Sequence, residues 1–152
     1  IDGRQCTEIK QVLGSCGLNL PRDPKIMNSY PDRAERLKHG MDRLAEDLPN
    51  VMQPFGAVLD GALTDGELDS RTKELIAIAL AAALRCDPCI AHHAGAVVRS
   101  GASKAQIAEA LGVAILMAGG PAVAYSVSAM EAVSQYSASQ AAEGTQPTGV
   151  TP

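Results

Sequence analysis

The sequence predicts an all-α protein of about six helices. Three observations carry this expectation. From Pro31 onward apolar residues recur at spacings of three and four; no stretch alternates apolar and polar as a half-buried strand does; and Gly, Pro and capping residues fall between the periodic segments. Hydrophobic residues make up 46% of the 152-residue chain, yet aromatics are only 3% and Trp is absent. A core of small side chains lets helices approach closely, but each helix then buries little area. A homo-oligomer that covers further surface is therefore expected.

Residues 1–30 read as an irregular N-terminal extension. Gly14, Gly17, Pro21 and Pro24 break it, with room for a short helix over Thr7–Leu13. Its opening Ile1-Asp2-Gly3-Arg4 resembles a protease linker site, so whether residues 1–4 are native stays open. The first clear helix is "PDRAERLKHGMDRLAED", where Leu37, Met41 and Leu44 share a stripe, Pro31 fits the first turn and His39 falls among surface charges. "PNVMQPFGAVLDGAL" reads as a second helix, interrupted near Pro54.

The third helix follows Asp69 or Ser70 as cap and carries Glu74, Leu75, Ile78, Ala79 and Ala82. It is apolar nearly all round past Leu75, which predicts a buried central helix. Asp87-Pro88 restarts the chain, with Asp87 as N-cap and Pro88 at the first position. That helix runs to about Ser100, where Gly101 stops it. Ser103 opens the next, and Gln106 three residues later completes a capping-box pattern. After Gly119-Gly120-Pro121, "AVAYSVSAMEAVSQY" forms the last helix, and the polar Gly- and Pro-bearing end from Ser139 reads as a flexible tail. The chain thus divides into an extension (1–30), a helical domain (31–138) and a tail (139–152).

Net charge is −4 and no basic run stands out, which speaks against nucleic acid as a partner. The most apolar region, Gly112–Tyr125, is short and holds Gly119, Gly120 and Pro121, which speaks against a membrane span. The first residues lack an apolar signal core. A cytoplasmic, reducing location suits a cysteine pair that must cycle.

The chemistry concentrates in "RCDPCIAHHAG", residues 85–95, which holds two of the four cysteines and two of the three histidines. With Asp87 as cap, Cys89 lies at the second helical position, near unpaired N–H groups and the positive end of the helix dipole. Both favour the thiolate, and such cysteines titrate well below the ordinary value of about 8.5. Cys86 lies close enough to close a disulfide with it. His93 is four residues after Cys89, about 40° around the helix and one turn on, so the two share a face. His92, three residues after Cys89, is an accessory candidate. Glu74 opens the apolar helix and needs a partner, for which a histidine is one choice. Glu74–His93–Cys89 would then be a relay in which Glu orients, His shuttles a proton and Cys reacts.

Plainer readings stand beside this one. Cys86 and Cys89 also fit an inert thiol pair, or a zinc site with His92 or His93 to which Cys6 and Cys16 could add ligands. Glu74 also fits a solvated charge at a helix start, and His92 a surface residue. Cys6 and Cys16 read as ordinary thiols, with an electron-relaying disulfide as the alternative.

Glu74, Cys86, Cys89 and His93 reproduce the spacing E-x11-C-x2-C-x3-H. This pattern, with "DGELDSRTKELIAIALAAALRC" and "GASKAQIAEALGVAILMAGGPAVAY" around it, resembles the AhpD-like alkylhydroperoxidases of the carboxymuconolactone decarboxylase superfamily over roughly residues 31–136. The resemblance implies an all-α oligomer (dimer, trimer or hexamer) that reduces alkyl hydroperoxides through its CxxC pair. A thiol or lipoyl-type protein would re-reduce that pair, with no resident cofactor or metal. It implies that Cys89 attacks the peroxide, that Cys86 resolves, and that His93 and Glu74 relay protons. The family pattern has a histidine immediately before the second cysteine; Pro88 stands there in this chain, so one relay contact is missing. Two other activities remain in view: a lactone decarboxylase or lyase that needs no cysteine pair, and a non-enzymatic redox sensor or zinc-binding helical module.

Overall fold

The computed structural model describes residues 28–143. They form six helices: α1 (Tyr30–Asp47), α2 (Pro49–Leu63), α3 (Ser70–Ala83), α4 (Asp87–Arg99), α5 (Lys104–Ala118) and α6 (Gly120–Glu143). The described residues contain no strand, in line with the expected all-α fold. The Thr7–Leu13 helix, Cys6 and Cys16 lie outside the described residues.

Local signals start and stop most of these helices. Ser29 caps α1, its Oγ accepting the Asp32 N–H at 3.3 Å. Asp69 caps α3 by accepting the Thr72 N–H at 2.7 Å. Ser103 and Gln106 form the expected capping box on α5. The C-terminus of α4 closes with the Gly101 N–H on the Val98 carbonyl and the Ala102 N–H on the Val97 carbonyl. That is a Schellman motif with Gly101 left-handed at φ 77°.

The end of α3 repeats the motif without a glycine. The Arg85 N–H meets the Ala82 carbonyl, the Cys86 N–H meets the Ala81 carbonyl, and Arg85 takes φ 58°. Cys86 therefore completes α3 with its N–H, while its own carbonyl accepts the Ile90 N–H at 2.9 Å and begins α4. This corrects the expected start of α4. Cys86 is the N-cap, with no side-chain cap bond; Asp87 and Pro88 occupy the first two positions. Cys89 is third rather than second. The reason lies in α1, where Arg33 Nη1 holds the Asp87 carboxylate at 2.8 Å and so takes it away from capping.

The core sits where α4 packs against α1, α3 and α6, with α5 closing on α3 and α6. Ile78, Ala82, Ile90, Ala91, Ala94 and Val97 are fully buried, as are Ala129 and Ala132 on α6. Alanine dominates, as the composition required.

Three expectations need correction. The α3 helix is not buried all round: Ile78, Ala81 and Ala82 face the core, whereas Ile76, Leu80 and Leu84 are about half or more exposed. One layer of helices covers one face only. The α2 helix runs through Pro54 without a break. The carbonyl that proline leaves unpaired belongs to Asn50, which is exposed, so water can take it. Finally, α6 extends through Glu143, past the expected tail boundary at Ser139. Small residues and Gln continue the helix there without a breaker.

Candidate active site

Two helices bring the site together across 19 residues of sequence. On α3 Glu74 is buried, with 8% of its surface exposed, one turn after the Asp69 cap. On α4 His93 points back at it, its Nδ1 2.8 Å from Glu74 Oε2. A carboxylate taken from water is costly unless it gains a strong partner, and this contact supplies one. It also fixes the ring: with Nδ1–H donating to the carboxylate, Nε2 is the nitrogen left to exchange protons.

The Cys86 and Cys89 sulfurs are joined as a disulfide, with a Cα–Cα separation of 5.2 Å. Both residues are half-buried. Cys89 also packs against the core cluster. At the third helical position its backbone N–H is among the first-turn donors without an intrahelical partner, so the local field still favours a thiolate on reduction. His93 follows one turn later on the same face. The structure thus brings the four expected residues to the junction of α3 and α4: the Glu74–His93 pair in direct contact, the two cysteines in covalent contact.

His92 stands edge-on to His93, ring centroids 5.0 Å apart. Partial burial pulls its pKa below the ordinary 6.5, and His93 and Arg99 add to that; Glu74 opposes it. Its neutral form is therefore favoured in the fold. Pro88 is exposed at the second helical position and brings no proton-transferring group there.

Sequence reasoning missed three residues. Arg33 ties α1 to Asp87 and lies over the Tyr30 ring, 4.7 Å from its centroid. Tyr136 on α6 donates its O–H to the Ala91 carbonyl of α4 at 2.9 Å. Gly95 makes room for it: a Cβ there would meet Tyr136 Cε1 at 2.8 Å and Arg99 Nη1 at 2.9 Å. Nothing in local spacing links residues 54 or 45 positions apart. Gly95 inside a helical pattern was the one readable sign of a close approach.

Among the described residues no three His, Cys, Asp or Glu side chains converge in a metal-holding cluster. No described helix is long and apolar enough to cross a membrane.

Comparison with known proteins agrees with the helical fold. The profile of the carboxymuconolactone decarboxylase family matches residues 49–132, from the start of α2 into α6. An uncharacterized protein of Cupriavidus necator is 36% identical over 98 residues, which are 64% of this chain and 87% of that protein. A carboxymuconolactone decarboxylase family protein from Legionella pneumophila superposes with a TM-score of 0.69 at 34% identity, covering 71% of this chain and 96% of its own. A family member from Thermotoga maritima, for which a role in an antioxidative response has been suggested, gives a TM-score of 0.64 at 26% identity, covering 72% and 97%. With the family profile spanning more than half of the sequence and two family structures sharing its helices, this chain belongs to the carboxymuconolactone decarboxylase family.

Proposed function

We propose that the protein is a thiol-dependent peroxidase and disulfide oxidoreductase that reduces organic hydroperoxides through Cys86 and Cys89. The single observation that carries the reading is the 2.8 Å Glu74–His93 contact one turn above Cys89. It supplies an oriented base to the side of the helix that bears the sulfur. In the reduced enzyme His93 Nε2 takes the Cys89 proton. The thiolate attacks the distal peroxide oxygen, the O–O bond breaks, and Cys89 becomes a sulfenic acid. The departing alkoxide takes the proton from His93 and leaves as an alcohol. The Cys86 thiol then displaces water from the sulfenic acid and forms the Cys86–Cys89 disulfide. A dithiol donor, a thiol or lipoyl-type protein, restores both thiols as it is itself oxidised. A cytoplasmic location and a homo-oligomeric state belong to the same proposal.

The test counts thiols by intact mass and peptide mapping before and after one equivalent of cumene hydroperoxide. It uses a Cys6→Ser, Cys16→Ser background so that only the pair reports. Rapid appearance of the Cys86–Cys89 disulfide, reversed by dithiol and abolished in Cys89→Ser, is the expected result. Thiols that stay free would sink the reading. The Glu74–His93 pair also favours one alternative, because it could move a proton with no help from sulfur. Lactone decarboxylase activity that survives a Cys86→Ser, Cys89→Ser double variant would select that alternative.

A further inference from the structure

The mechanism above uses the face of α4 that carries His93 and leaves the neighbouring face unexplained. Around the α4 axis at about 100° per residue, His93 lies roughly 40° to one side of Cys89; His92 and Arg99 lie about 60° and 80° to the other. On that projection Cys89 lies between the proton relay and the side of α4 that carries His92 and Arg99. Between α1, α4 and α6 that side borders an open pocket of about 540 Å³, whose lining includes Ala34, Leu37, Met41, His92, Arg99 and Tyr136.

The pocket is a built feature. Tyr136 is pinned by its bond to the Ala91 carbonyl, and it can lie on α4 only because residue 95 has no side chain. Arg33 bonds Asp87 and thereby fastens the first turn of α1 beside the first turn of α4. Its volume lies within the range of small-molecule sites. Ala34, Leu37 and Met41 of α1 and the Tyr136 ring of α6 supply apolar lining. The charges around its rim balance, with Lys38 and Arg99 against Glu35 and Asp42. A site so lined fits a hydrocarbon body and exerts no net pull on an anion.

We infer that this pocket holds the organic part of the substrate, an uncharged hydroperoxide with a hydrocarbon body, and that His92 at its wall positions the peroxide group over Cys89. The inference rests on the peroxidase reading for its chemistry but not for its location. Hydrogen peroxide, with no hydrocarbon to place, gains nothing from the pocket. Specificity for the organic substrate is set by Leu37, Met41 and Tyr136, at a distance from the reacting sulfur.

Two measurements separate the pocket from the activity. The first takes the ratio of kcat/KM for cumene hydroperoxide to that for hydrogen peroxide, in the wild type and in Met41→Trp and Leu37→Phe. Each filling substitution is expected to lower the ratio at least fivefold, chiefly through KM for the organic substrate; a smaller change in both overturns the inference. A ratio is insensitive to a general loss of folded enzyme. The second titrates 2-phenyl-2-propanol, the unreactive reduction product, into the disulfide form and follows the His92 and Tyr136 ring signals by NMR. Shifts at both rings, lost in Met41→Trp, support the pocket; no shift at either overturns it. Shifts with neither peroxide turned over would keep the pocket and reject the peroxidase reading.

Discussion

Glu74 and His93 show how much a single contact asks of two helices. The pair was legible because each residue is chemically awkward where it stands: a carboxylate opening an apolar helix and an imidazole one turn from a cysteine. Its test is direct. His93→Gln is expected to lower peroxide-dependent kcat/KM by about 10²–10⁴-fold, the range for losing a positioned acid–base group. Stopped-flow turnover at saturating dithiol reads it, and a loss under threefold would remove His93 from the mechanism. Asp87 is less legible. Its carboxylate fits a helix cap, but Arg33, 54 residues away, claims it at 2.8 Å, and no local pattern announces so distant a partner. His92 gives a pH signature. Because folding lowers its pKa, the unfolded chain binds the extra proton as pH drops below about 6.5, and stability is lost with it. Urea midpoints at pH 7.5 and 5.5 are expected to differ less in His92→Gln than in the wild type. An equal difference would show that His92 plays no part.

At the scale of elements, the starts and stops were the readable part. Ser103 with Gln106, and Gly101 after Ser100, are short-range chemistry that the sequence spells out. Ser103→Ala is expected to cost about 0.5–2 kcal/mol in denaturant unfolding by leaving the Gln106 N–H without its acceptor; no measurable cost would show the box to be ornamental. Arg85 marks where the same reasoning ran short. Its φ of 58° serves the turn that glycine serves at position 101, yet an arginine gives no warning of a left-handed residue. A β-branched residue suits that region least, so Arg85→Val is expected to lower the melting temperature and Arg85→Gly to leave it level or raise it. The reverse order would refute the strain. The α2 helix runs on through Pro54 for a different reason: the missing N–H costs least where the carbonyl four residues back can turn to solvent, and Asn50 is exposed.

At the scale of the whole molecule, an apolar surface nearly all round α3 predicts a buried central helix, yet Leu80 is 54% exposed and Met117 on α5 79% exposed. Together α3 and α5 line an apolar groove of about 300 Å³. On α2, Val51, Phe55 and Val58 are exposed as well. Periodicity reports that a face is apolar, never whose surface covers it. The proposed cover is a second copy of the chain, which would add the buried area that a core of small residues lacks. Leu80→Asp with Met117→Asp is expected to shift sedimentation velocity to the monomer, and a wild type that sediments as a monomer would reject the oligomer outright. Stability of the whole molecule also turns on the residue shared by α3 and α4. A helix start ordinarily takes Ser, Thr, Asp or Asn, whose oxygen accepts a first-turn N–H. Cys86 makes no such bond, and with Pro88 lacking an N–H, the Cys89 N–H is the donor such an oxygen would reach. The chain keeps sulfur where oxygen would hold the helix better, a local rule broken at the pair that the proposed cycle uses. In reductant, Cys86→Ser is therefore expected to be more stable than the wild type by about 0.5–2 kcal/mol. The protein would become sturdier by losing a residue that the proposed cycle cannot do without.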